Sequence, residues 1–66
     1  MTRTLSLLAE AQQLVGHNPF TLSDARSLEY LEEQAMGEEG LLIAELWEEA
    51  LLVADDEARL YISGMI

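Results

Sequence analysis

Between Ser27 and Ala58 the chain carries eleven carboxylates and no basic side chain: Glu29, Glu32, Glu33, Glu38, Glu39, Glu45, Glu48, Glu49, Asp55, Asp56 and Glu57. Carboxylates at such density could bind metal, trade protons with a substrate, or present a line of negative charge to a basic surface. The first two uses lack their supporting residues. Asp55-Asp56-Glu57 does not have the alternate spacing of a calcium loop, and no Glu-x-x-His occurs to build a di-iron site. His17 is the only histidine and stands beside a turn with no carboxylate near it in sequence, so it reads as a surface or packing residue rather than a general base. Ser6, Ser23, Ser27 and Ser63 have no G-x-S-x-G context, and there is no phosphate-cradling glycine loop. Without cysteine, a disulfide framework, a thiolate zinc site and a cysteine nucleophile are all excluded. The expectation is a protein that is not an enzyme and uses no cofactor and no metal.

What remains is charge. Thirteen acids face three arginines and no lysine, giving a net charge of -10 and a pI near 4.1 in a chain of 66 residues. Direct nucleic-acid binding is disfavoured, because it requires cations to displace phosphate counterions. Binding to an anionic membrane surface is disfavoured for the same reason. The apolar runs Leu41–Ala44 and Ala50–Ala54 fall far short of the roughly 20 residues that span a bilayer. Leu5–Ala9 ends at Glu10, too soon for a secretory signal. The chain therefore reads as one soluble, cytoplasmic domain over residues 1–66.

The elements that would position the carboxylates follow from periodicity. A first helix is expected from Thr4 to Val15, with Leu5, Leu8, Ala9 and Val15 on one side, widened by Leu7, Ala11 and Leu14. It should close at Gly16 in the left-handed conformation. Asn18-Pro19 marks the firmest boundary, since proline pushes the preceding residue out of the helical region. A second helix opens at Thr21 or Ser23, where Thr21-x-x-Asp24 has the spacing of a capping box, and carries Ala25, Leu28, Leu31 and Ala35 inward. Gly37-Glu38-Glu39-Gly40 reads as the second connection. A third helix from Leu41 to Ile62 places Ile43, Leu46, Trp47, Ala50, Leu51, Ala54, Ala58, Tyr61 and Ile62 on one face, extended by Leu42, Val53 and Leu60. Trp47 sits at the centre of that arc and should be buried, with Tyr61 in the core and Tyr30 partly buried. The expected fold is all-α, a compact three-helix arrangement, either monomeric or dimerising through the third helix. An α+β alternative pairs Thr4–Leu7 with Leu60–Ile62 as short strands.

On an unbroken third helix, Glu45, Glu49 and Asp56 line up on one side of the outer face, and Glu48 and Asp55 on the other. Glu29 with Glu33 and Glu45 with Glu49 are like charges four apart, each pair costing roughly 0.2–0.5 kcal/mol. Asp55 and Arg59 form the one well-oriented opposite pair. Leu41 and Leu52 project among the carboxylates, either as ordinary exposed leucines or as apolar anchors.

A charge run is often just a solvated face. Here its concentration of one sign also fits carboxylates standing in for the phosphates of a nucleic-acid backbone. In size, charge and the Glu29–Glu57 run, the chain resembles the small acidic nucleic-acid mimics of phages and mobile elements, the anti-CRISPR and anti-restriction inhibitors. That resemblance implies a bacterial setting and a partner protein whose basic nucleic-acid groove the acids would occupy, with Glu29–Glu57 as the contacting residues. The competing expectation is a helical adaptor, chaperone or antitoxin that offers its apolar face, Trp47, Leu51 and Tyr61, to a partner helix.

Overall fold

The computed structural model describes residues 6–65, which form four helices: α1 (Ser6–Val15), α2 (Leu22–Gln34), α3 (Glu38–Val53) and α4 (Asp56–Met65). The all-α class holds, but the expected single third helix is two. No strand occurs among the described residues, and α1 and α4 are helical across Ser6–Leu7 and Leu60–Ile62, so the α+β alternative is overturned there. Thr4 and Leu5 lie outside the described residues.

The break between α3 and α4 has two causes, one local and one distant. Locally, Asp55 turns its carboxylate back to accept the Ala58 N–H at 2.9 Å, satisfying one of the donors that every helix start leaves free. Asp56 and Glu57 follow in the first turn, where the helix dipole favours negative charge. At a distance, Phe20 is wholly buried, and its backbone needs hydrogen-bond partners there. Its N–H donates to Val53 O at 2.8 Å, and its carbonyl accepts from the Asp55 N–H at 3.0 Å. Ala54 is held extended between them at φ -73° and ψ 143°.

The other boundaries run closer to expectation. At the start of α2, the Thr21 N–H donates to Asp24 Oδ2 at 3.0 Å and the Asp24 N–H donates to Thr21 Oγ1 at 3.3 Å, which completes the predicted capping box. α1 does stop at Gly16, whose N–H donates to Gln12 O and Gln13 O, but not through a left-handed glycine. Positive φ falls instead on Gly37, at 61°, the residue that caps α3. The second connection is consequently shorter than expected, and Glu38, Glu39 and Gly40 belong to α3.

The core draws on every element: Ala11 of α1, Ala25, Leu28 and Leu31 of α2, Ile43, Leu46 and Ala50 of α3, and Ala58 and Ile62 of α4, with Phe20 and Ala54 from the junctions. α2 packs against all three other helices. Ala50, Ala54 and Ala58 are all buried, although the chain bends at the middle one. Trp47 and Tyr61 are half-buried at the edge of this core rather than at its centre. Three expectations fail outright, the first being Ala9, which was placed on the apolar side of the first helix and is exposed. Leu60, assigned to the inner face, is 75% exposed, because α4 turns Ala58 and Ile62 inward and Leu60 stands about 160° around the helix from each; Tyr30 is 61% exposed.

Candidate interaction surface

The fold divides the eleven acids into two groups. Four accept hydrogen bonds within the domain, three of them from distant segments. Glu29 takes the Tyr61 hydroxyl, Glu32 takes the Trp47 indole N–H at 2.7 Å, and Glu39 takes the Leu8 N–H in the first turn of α1 at 3.0 Å. Asp55 caps α4 as described. These carboxylates tie α2 to α4, α2 to α3 and α3 to α1. The Glu29 bond raises the Tyr61 phenol above its usual pKa, since removing the proton would leave two negative oxygens in contact; desolvation acts in the same direction.

The other seven, Glu33, Glu38, Glu45, Glu48, Glu49, Asp56 and Glu57, are exposed and accept no hydrogen bond within the described structure. Four of them belong to α3. At 100° per residue Glu38, Glu45, Glu48 and Glu49 fall within about 100° of arc, together with Leu41 and Leu52. These six are the exposed residues of α3, so its outward face is one stripe of acids punctuated by two leucines. Leu41 is 70% and Leu52 80% exposed, as expected. The continuous rails do not form. Asp55 is turned inward as a cap, and Asp56 begins a separate helix with Glu57, while Glu33 lies on α2.

Neither Arg26 nor Arg59 comes within 4.0 Å of a carboxylate among the described residues. Asp55 and Arg59 make no ion pair within 4.0 Å; the Asp55 carboxylate caps α4. Among the described residues the one basic side chain within 4.0 Å of a carboxylate is His17, whose Nδ1 lies 3.1 Å from Asp24 Oδ1, an ion pair only when the imidazole carries a proton. The loop through Pro19 thus brings a carboxylate to a histidine that appeared isolated along the chain. Partial burial pushes the Asp24 carboxyl upward, but its bonds from the Thr21 N–H, His17 and the Thr21 hydroxyl outweigh that and hold it below its ordinary value of 3.8.

Among the described residues, no group of three or more His, Asp or Glu is placed to hold a metal ion, and no helix is long and apolar enough to cross a membrane. Phe20 was not recognised as a core residue from sequence; an aromatic directly after Asn-Pro and before a cap was the available signal. Comparison with protein families, characterised proteins and solved structures finds no match for the chain.

Proposed function

We propose that this protein is a small acidic inhibitor that imitates nucleic acid and occupies the basic nucleic-acid groove of a bacterial defence or nucleic-acid-processing complex. The observation that carries the reading is the α3 stripe. Its four glutamates, unpaired and exposed, extend over about 16 Å of helix axis at 1.5 Å per residue. One strand of B-form DNA places about five phosphates along the same length. A groove lined by lysine and arginine would meet a similar density of negative charge, on a scaffold braced by four internal carboxylates. Long-range attraction would also speed the encounter.

The adaptor reading draws less support. Ile43, Leu46 and Ala50 are buried inside the domain, and Trp47, Leu51 and Tyr61 pack against the core, so little of that apolar face is left to offer.

The test immobilises the protein, captures binding complexes from a bacterial lysate at low salt, and elutes with an oligonucleotide. The paired reversals Glu45→Lys with Glu49→Lys and Glu38→Lys with Glu48→Lys should each abolish capture while leaving the melt cooperative. Asp55 is excluded from the set because it caps α4. Capture that survives both reversals, or that an oligonucleotide cannot displace, would show the reading to be wrong.

A further inference from the structure

A groove of about 760 Å³ runs between α1 and α2, on a different part of the domain from the α3 stripe. Its lining is chemically unlike the rest of this acidic molecule. Leu14 and Leu31 supply apolar wall, while Ser23, Arg26, Ser27 and Tyr30 follow one another along the exposed ridge of α2. These side chains are hydrogen-bond donors grouped around one guanidinium. His17 closes one end, with its Nδ1 against Asp24 Oδ1 and no partner on its Nε2 among the described residues. Arg26 has no carboxylate within 4.0 Å among the described residues, in a chain with thirteen acids.

We propose that this groove binds a carboxylate carried on an apolar body, with Arg26 holding the carboxylate and the leucine wall holding the body. A planar guanidinium pairs bidentately with a carboxylate, and neighbouring hydroxyls satisfy its remaining lone pairs. The groove lies in the size range of small-ligand sites, which combine apolar lining with a few placed polar groups. The net charge of -10 acts against an anion at long range, but salt screens that repulsion beyond about 8 Å. The opposing group on the lining itself is Glu10. Asp24 is occupied by Thr21 and His17. Two sources carry the required chemistry: a free medium-chain acid, and the C-terminus of a peptide ending in an apolar residue.

The experiment titrates octanoate, octanol, and an acetylated tripeptide ending in leucine, as free acid and as amide, into labelled protein, following backbone amide shifts. Saturable shifts at Leu14, His17, Ser23, Arg26 and Tyr30 are expected for octanoate or for the peptide acid. Whichever binds tighter identifies the source. Octanol and the peptide amide should bind about tenfold more weakly, as should the acids to Arg26→Gln, the difference a charge-assisted hydrogen bond makes. Glu10→Gln should bind the acids several-fold more tightly. Arg26 is exposed, so the melting temperature of Arg26→Gln separates lost binding from lost folding. Acids and their neutral counterparts binding alike, no saturable shift with either acid, or a folded Arg26→Gln that binds like the parent would each overturn the proposal.

Discussion

Phe20 and Ala54 meet as a single parallel backbone bridge between the α1–α2 connection and the α3–α4 junction. Phe20 both donates to Val53 and accepts from Asp55, so one buried residue satisfies its own backbone and opens a long helix into two. The aromatic ring is fully buried among residues of the surrounding helices. The bend and the core are therefore one feature.

Phe20→Ala should cost about 3–5 kcal/mol, as large-to-small changes in packed cores do. A domain of this length has roughly 3–10 kcal/mol in total. Chemical denaturation should find the variant largely unfolded or close to it. A midpoint near that of the parent would mean the ring is not packed as described.

Asp55→Ala and Asp56→Ala should separate. The first removes the acceptor for the Ala58 N–H and should cost about 1 kcal/mol. The second alters an exposed first-turn acid and should stay within about 0.5 kcal/mol. On an unbroken helix the two would behave alike, and thermal melts of both variants decide the matter.

Neutralising carboxylates should have opposite effects in the two groups. Glu45→Gln or Glu49→Gln relieves a like-charge pair four residues apart and should stabilise by about 0.2–0.5 kcal/mol. Glu32→Ala leaves the Trp47 indole N–H without its partner and should cost about 0.5–1.5 kcal/mol. Indole emission should shift to the red in that variant and stay unchanged in the other two.

The Asp24 carboxyl is held below 3.8 in the folded protein, so the unfolded chain binds its proton more readily. Its contribution to stability is complete above that ordinary value and is lost as pH falls through the folded value. Asp24→Asn should therefore be less stable than the parent at neutral pH, because the ionised acceptor for the Thr21 N–H is lost. The gap should narrow below about pH 3.8 and close in stronger acid. Paired denaturation curves across that range measure it, and a gap independent of pH would contradict the capping role.

Local signals along the chain carry a great deal here. The helical class, the Asn18-Pro19 boundary, the Thr21–Asp24 capping box and the exposure of Leu41 and Leu52 all follow from spacing, since each rests on neighbours within one or two helical turns. The charge imbalance is likewise a property of composition. The division of the acids was not legible. Glu29, Glu32 and Glu39 each meet a donor from a distant segment, and nothing within a few residues distinguishes them from Glu33, Glu38 or Glu45. The α3–α4 break was concealed for a related reason. Apolar residues on both sides of Ala54 face the core, so the period of 3.6 runs across the junction even though the helix does not. Asp55 with two following acids was a local hint of a new helix start, but the residue that compels the break is Phe20, which reaches it only after the chain has folded back on itself.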